Sequence, residues 1–590
     1  MEASPWGRPA SPRLAVLAFA ATCWGAAAIA QEPTPTPPPA SPPAEPAPAP
    51  AAEPAPPAVP KDRLPVPDRW RVDFPDWDRR VKGRLFNPYD LNPLKGDYPI
   101  KGTQNTFFVL TAVSDTLAEA RGLPTPSDVS SENPGSEEFF GRSDSYSLIQ
   151  QAIVTFDLFH GSTSYKPIDW ELRFTGVGNI NYLNAQERGV VKIDPTRGTD
   201  RTDRHFGIQE AFAEVKLADV SPRYDTISVR LGIQGFTSDF RGFVFSDQNL
   251  GARLFGNFAN NRYQWNVVAF DHLEKDTNSG LNTLHRRNQQ VGIANLYLQD
   301  FANILGYTWQ FSFHYTRDRS EPLIDRNGFP VRPGLIGTPR LHEQDVYYIG
   351  WTSDGHIGRI NVNHAFYQVL GHDTFDPIAG RRVDLNSQLG ALELSIDKDW
   401  LRYKVSGFYQ SGDADPGDDT ARGFDSILDN VNFAGGPFSF FNRQSIRLTQ
   451  TGVALTNRSS LLADFKSSKD EGMSEYVNPG VILANLGLHA KLTPKVTLDA
   501  NANYIWFANP EALEYVLFQP NIPKAVGLDL NLGLKYRPWL NDNAVIVLGA
   551  AGFFPGDGFK AIYTSNCSQV GCGKDSKVLY QGFASLTLTY

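Results

Sequence analysis

Gln581-Gly582-Phe583-Ala584-Ser585-Leu586-Thr587-Leu588-Thr589-Tyr590 is the last stretch of the chain. Successive residues of an extended strand point to opposite sides. Tyr580, Gly582, Ala584, Leu586, Leu588 and Tyr590 therefore share one oily face, while Gln581, Ser585, Thr587 and Thr589 share a wet one, with Phe583 its single apolar exception. Such a strand is either the edge of a soluble sandwich or a stave of a membrane barrel. The segments upstream decide between the two.

The same alternation recurs along the chain beyond residue 105. Trp170, Leu172, Phe174, Ile180 and Tyr182 face one side, and Glu171, Arg173, Thr175, Asn179 and Asn181 the other. Tyr307, Trp309, Phe311, Phe313 and Tyr315 alternate with Thr308, Gln310, Ser312, His314 and Thr316. Val496 to Trp506 and Val526 to Tyr536 repeat the pattern. Apolar faces of about five residues, bounded by Trp or Tyr, match a hydrocarbon band between aromatic girdles.

The connections carry a second signal. Short turns are expected near 159–168, 218–224, 257–262, 299–306, 353–359, 397–400, 492–495 and 537–543. Between them lie longer segments at 119–145, 183–204, 235–249, 271–287, 317–345, 371–386, 411–479, 507–524 and 555–577. Short turns alternating with long loops belong to an up-and-down membrane barrel. A sandwich has no reason to sort its loops by length. The expected fold is therefore all-β, a transmembrane antiparallel barrel over 106–590 of about 18 strands, with 16 or 20 as the alternatives. Backbone groups cannot stay unpaired in hydrocarbon, so the sheet must close, and strand 1, near Phe107 to Leu117, is the expected partner of the last strand. At this size side chains alone do not fill the lumen, which makes an aqueous channel the default.

Upstream segments indicate compartment. Arg8 and Arg13 precede the apolar run Leu14 to Ala21, and small residues end at Ala28-Ile29-Ala30. This reads as a signal peptide over 1–30, with Gln31 as the first mature residue. Thr22 ahead of Cys23 argues against lipidation. Residues 31–62 are dominated by Pro and Ala and cannot bury a core, which makes them a disordered periplasmic spacer. The stretch 63–105 is either an ordered lead-in or a small plug. Mean hydropathy is −0.33, which excludes a bundle of membrane helices. A net charge of −9 gives no support to a nucleic-acid partner. Cys567 and Cys572 are the mature cysteines, and in an exported protein such a pair reads as a disulfide.

Inward positions carry both charge signs. The pore-lining candidates are Glu171, Arg173, Arg230, Arg253, Arg402, Lys404, Asp499, Asp529 and Lys535. Lys216, Glu210, Glu214, Glu393 and Lys491 extend the set. Most of these are expected to pair as a solvated wall; a functional basic ladder of Arg230, Arg253, Arg402 and Lys404 is the less favoured alternative. Phe240, Arg241 and Phe243, in an aromatic stretch around Asp239, and Phe438, in the long 411–479 segment, are candidates for a constriction. Asp413, Asp415, Asp418 and Asp419 form a cluster that can be read as a Ca²⁺ site, although a solvated acidic loop accounts for it better. No other cofactor or metal is expected. The chain carries no C-x-x-C-H, P-loop or G-x-S-x-G motif, so it is not read as an enzyme.

The terminal aromatic strand resembles the C-terminal signal that barrel-assembly machinery reads in bacterial outer-membrane proteins. With the signal peptide, the strand count and Phe86-Asn87-Pro88-Tyr89-Asp90 ahead of strand 1, the chain over 86–590 resembles the alginate-export-like and related outer-membrane porins of Gram-negative bacteria. That resemblance implies a passive channel for small hydrophilic solutes or exported sugars and oligosaccharides, working in outer-membrane lipid as a monomer or trimer. An alginate exporter would have a strongly electropositive lumen, and the mixed charges here depart from that. The rival reading is a barrel that sheathes an electron-transfer partner.

Overall fold

The computed structural model describes residues 91–124, 142–161, 167–445, 448, 456, 458–563 and 577–590. Eighteen long strands form one antiparallel sheet: β1 (Thr106–Gly122), β2 (Asp144–His160), β3 (Trp170–Ala185), β4 (Asp200–Asp219), β5 (Thr226–Thr237), β6 (Ser246–Phe258), β7 (Tyr263–Lys275), β8 (Asn282–Leu298), β9 (Tyr307–Asp318), β10 (Gln344–Ile357), β11 (Ile360–Asp373), β12 (Val383–Lys398), β13 (Leu401–Gln410), β14 (Val481–Thr493), β15 (Val496–Phe507), β16 (Ala525–Tyr536), β17 (Ala544–Pro555) and β18 (Leu579–Thr589). A two-residue piece, Thr420–Ala421, adds to β12 in parallel. Each long strand pairs with the next, and β18 returns to β1 from Val113↔Thr589 to Gly122↔Tyr580. The barrel is closed at the expected count and seam.

All eight expected turns lie at one end of the barrel, with the start of β1 and the finish of β18, and the nine other connections lie at the opposite end. The alternation of ends holds, but the sorting by length does not. Segment 276–281 is shorter than the turns 161–169 and 299–306. It closes tightly because Asp276 accepts the Ser279 and Gly280 N–H groups.

Outward-facing residues make an apolar band. Ile180, Ile349, Val405 and Leu486 are more than half exposed on it. Trp400 and Trp539 stand at the turn end, Trp351 sits at mid-strand, and Tyr146, Tyr347, Tyr409, Tyr504 and Tyr580 stand at the loop end. A closed sheet with no free edge, wrapped in this way, satisfies what hydrocarbon demands of a backbone. Among the described residues no helix is long and apolar enough to cross a membrane.

β18 is shorter than β1 and leaves the first turns of the β1 edge uncovered below the Tyr590 N–H bond to the Ala112 carbonyl. Residues 91–105 take over there. Leu110 N–H donates to the Leu94 carbonyl (2.7 Å), Ile100 N–H to the Thr106 carbonyl (2.8 Å), and Lys95 bridges Val109. The described part of the lead-in thus continues the wall on the β18 side of β1. The spacer, residues 63–90 and the Cys567–Cys572 pair lie outside the described residues.

Val113 and Thr589 face each other at a position where Thr589 gives its N–H to Asn543 on the other side. Such non-hydrogen-bonded pairs bring Cα atoms to about 4.5 Å, within disulfide reach. Val113→Cys with Thr589→Cys is expected to crosslink in membranes and to alter the mobility of the boiled chain on a denaturing gel. Failure of this pair while a pair shifted by two residues crosslinks would overturn the register.

Candidate functional site

A lumen of this width is filled here largely by the chain's own loops. The 238–245 loop and the long 411–480 loop both fold inward, where Phe243, Val244, Phe245, Phe424, Phe433, Phe440 and Leu461 are at most 2% exposed. They meet inward-facing apolar residues of the wall, among them Phe270 on β7, Ile293 on β8, Tyr348 on β10, Tyr367 on β11, Phe408 on β13 and Phe553 on β17. Phe243 stacks on Phe408 (6.0 Å) and lies edge-on to Phe433 (5.6 Å), and Phe440 stacks on Phe553 (5.4 Å). A contiguous core thus sits inside the barrel against the wall from β7 round to β17.

The two loops are also joined through their backbones. Phe245 bridges Leu428 in parallel, and Asn430 N–H donates to the Gly242 carbonyl (3.0 Å). Gly242 has a positive φ of 76°, and a Cβ there would stand 2.4 Å from the Asn430 carbonyl oxygen. Only glycine admits this approach. The Asp239 carboxylate organises the turn by accepting N–H groups of Arg241 (2.8 Å), Gly242 (2.6 Å) and Phe243 (3.1 Å) and the Tyr367 hydroxyl (3.0 Å).

The tip of the long loop crosses to the seam. Gly436–Phe438 makes one 3₁₀ turn, and Ser439 then caps the short helix α1 (Phe440–Gln444) by accepting the Asn442 N–H. The Ser439 hydroxyl donates to Asp529 on β16 (2.5 Å). Arg443 donates to Glu119 on β1 (2.9 Å), and Gln444 donates to both Glu119 (2.9 Å) and Gln581 on β18 (2.7 Å). Phe438 stacks on Phe583 (6.0 Å), and the Arg443 guanidinium lies 4.0 Å over the same ring. The apolar exception in the last strand is therefore a docking platform. A Cβ at Gly549 would stand 2.1 Å from the Phe583 ring, and one at Gly533 2.5 Å from Phe438.

Beside the plug the lumen stays open. A cavity of about 620 Å³ runs between the wall of β1, β2 and β3 and the two loops. Asp115, Gln151, Asn179, Asn278, Asn430 and Asn432 line it, together with Phe240, Arg241, Asp247, Arg458 and Asp470. Most of its charges are paired: Arg241 with Glu393 (2.8 Å), and Arg458 with Asp247 (2.9 Å) and Asp470 (2.7 Å). Asp247 also holds Lys275.

Of the constriction candidates, Phe240 and Arg241 border this cavity, while Phe243 is sealed in the core and Phe438 sits on the β18 platform. The pore-lining candidates all face inward but do not converge. Arg173 pairs with Asp157 (2.7 Å) and Glu171 (2.8 Å). Arg230 pairs with Glu214 (2.5 Å) and lies 3.9 Å over Phe212. Arg253 donates to Asn266 (2.7 Å), Arg402 pairs with Asp397 (2.6 Å), and Asp499 with His489 (2.9 Å). Arg230 and Arg253 are cross-strand neighbours on β5 and β6, whereas Arg402 and Lys404 lie on β13 and Lys535 on β16. The four basic residues do not form one ladder, because six strands lie between β6 and β13 around the barrel. Asp529 is buried under the loop tip.

The acidic cluster is wired to its own loop. Asp413 accepts backbone N–H groups of Asp415 (3.0 Å) and Arg422 (3.0 Å), and Asp418 pairs with the Arg422 guanidinium (2.8 Å). No group of three metal-ligating side chains occurs among the described residues. Arg121, Arg201, Arg443 and Arg458 are among the polar residues that sequence reasoning passed over. The first two lie at strand tops, and the others lie in a loop without periodicity.

Two groups outside the strands make the plug pH-sensitive. Burial lifts the Glu471 carboxyl from 4.5 to about 8, against a hydrogen bond from Thr277. For His342, burial disfavours the charge, but Asp373 at 2.6 Å outweighs it and lifts the imidazole from 6.5 to about 9. The contribution of Glu471 to docking is complete below about 4.5 and is lost as pH rises to about 8. That of His342 is complete below about 6.5 and is lost as pH rises through about 9. Both signs agree: the plug should loosen from pH 5 to pH 9, read as faster protease cleavage within 424–477 of the folded barrel. Equal cleavage rates across that range would contradict this.

No protein-family model and no curated relative matches the chain. Among solved structures it is similar to OccK9 (OpdG) of Pseudomonas aeruginosa, with a TM-score of 0.43 and 9% identity over 82% of this chain and 98% of that one. It is also similar to a BenF-like porin from Pseudomonas fluorescens Pf-5, with a TM-score of 0.42 and 8% identity over 82% and 98%. Acinetobacter baumannii OccAB4 is a third, with a TM-score of 0.41 and 10% identity over 81% and 98%.

Proposed function

We propose that the protein is an outer-membrane channel of a Gram-negative bacterium through which small hydrophilic solutes diffuse passively. The observation that carries this reading is the polar cavity of about 620 Å³ beside an ordered plug, inside a closed barrel with an apolar exterior. A plug that fills part of a wide barrel sets a size limit on what moves beside it, and paired wall charges keep that space wet without trapping ions. No chemistry beyond passage is needed to account for the arrangement. The rival reading, a sheath around an electron-transfer partner, requires an empty lumen, and here the chain's own loops occupy that space.

Planar-bilayer recording of the purified chain is the test. Stable open steps in potassium chloride without a partner are the expected result. A silent barrel that copurifies with a haem protein would overturn the proposal in favour of the sheath.

A further inference from the structure

The cavity of about 620 Å³ beside the plug is lined by amides that the chain itself leaves half satisfied. Gln151 on β2 and Asn432 in the long loop make no side-chain hydrogen bond to any described residue. Asn179 on β3 accepts from Asn181 Nδ2 (2.8 Å), and Asn430 accepts the Ser459 N–H (3.1 Å). Each of these two uses only its carbonyl oxygen, so its Nδ2 is left for the cavity. Asn179 is 2% exposed, and a donor set so deep calls for a partner that reaches it through the cavity. Asp115 on β1 accepts the hydroxyls of Thr587 (2.7 Å) and Ser585 (3.4 Å), both on Oδ1, which leaves Oδ2.

The guanidinium groups around the same space are closed off, Arg241 by Glu393 and Arg458 by Asp247 and Asp470. An anion therefore meets no open cation to offset the water it sheds. Amides donate and accept at once, as a hydroxyl does, so a solute rich in hydroxyls can replace bound water pair for pair. Phe240 supplies the other half of that chemistry. It is the one aromatic ring in the described lining, packed edge-to-face with Tyr297 at 5.8 Å. The C–H face of a pyranose is apolar and rests on such a ring, whereas an open-chain polyol has no flat face to offer. The volume falls in the range of sites for small organic ligands.

We propose that this space is a weak binding site for an uncharged pyranose, its ring against Phe240 and its hydroxyls on the open amides and Asp115. The inference rests on the channel reading and deepens it by naming a solute class. The site draws on both halves of the lumen. Asp115, Gln151 and Asn179 come from the wall, and Phe240, Asn430 and Asn432 from the two inward loops. The loops thus contribute recognition as well as a size limit.

The test uses the full chain in planar bilayers with potassium chloride as carrier. It reads the share of open-channel current that each solute removes beyond its effect on the bulk solution. Glucose should reduce the current saturably, and sorbitol, an open-chain polyol of similar size, should do so severalfold less. Glucuronate, the same ring with a carboxylate, should block no more strongly than glucose. Phe240→Ala and, on the wall, Gln151→Ala should each weaken the glucose block severalfold, and Phe240→Tyr should retain it. An open channel that glucose does not block saturably overturns the site and leaves the channel reading standing. So does equal block by sorbitol, stronger block by glucuronate, or a block that neither Phe240→Ala nor Gln151→Ala weakens. Absence of any channel overturns both.

Discussion

Excising residues 433–457 should raise single-channel conductance severalfold without unfolding the barrel. The excision can be rejoined cleanly, because Val431 N–H already donates to the Ser459 carbonyl across the base of the tip (2.9 Å). What leaves is the segment that crosses the lumen to Asp529, Glu119 and Gln581. The wall it uncovers there mixes Asn503, Asn531, Gln581 and the two carboxylates with the rings of Phe553 and Phe583, and its polar side lets water into the vacated space. A larger excision, 424–477, joins Gly423 to Asn478, which are already in contact. It should add less than its size suggests, because it bares Tyr348, Phe408, Leu483 and Phe507, and an apolar constriction tends to dewet. Neither excision breaks a wall ladder, so both variants should keep the unheated gel mobility of a folded barrel. An unchanged conductance in the smaller excision would mean that the tip does not limit the passage.

The wall was legible because hydrocarbon imposes one rule on every strand. Leu172, Ile180, Leu486 and Leu586 face outward where the period-two pattern puts them, and the seam from Val113 to Gly122 overlaps the expected Phe107–Leu117. The interior obeys no such rule. Val346-Tyr347-Tyr348-Ile349 and Val267-Val268-Ala269-Phe270 are apolar on both faces, a loss of alternation that marks strands covered inside as well as outside. That break in the pattern, concentrated on one side of the barrel, was the available signal for a plug. Phe583 gave the same signal on the last strand, as a lone ring on a wet face. The site was less legible, because its partners are far apart in sequence. Arg443 and Glu119 are separated by 324 residues, and nothing local to either predicts the pair. The basic ladder failed for a related reason: facing inward is a property of one strand, whereas meeting across the lumen depends on the whole circumference and on the loops inside it.

Arg458→Met should release the plug while leaving the barrel folded. The guanidinium joins three places at once. Its Nη2 binds Asp247 at the start of β6, its Nε binds Asp470, and Nη1 reaches the carbonyls of Ser246 and Asp429 (3.0 Å each). Removing one partner from a buried ion pair costs about 3–5 kcal/mol, because the charge left behind has lost its solvent and its counter-ion. Asp247 retains Lys275, so the larger penalty falls on Asp470, whose remaining support is the Thr456 hydroxyl (2.7 Å). A loss of that size raises the undocked population on the order of a hundredfold or more. The wall pays none of it, since strand ladders do not pass through Arg458. Two readouts follow: bursts to higher conductance levels, and faster protease cleavage within 424–477 in otherwise intact barrels. Arg458→Lys should lie between, because one ammonium replaces the charge but not the fork that reaches four acceptors. Adding Asp470→Asn to Arg458→Met should recover part of the loss by removing the stranded carboxylate, a coupling that a merely bulky residue would not show. Quiet wild-type currents in Arg458→Met, from barrels shown to be folded, would place the hold on the plug in its aromatic core instead.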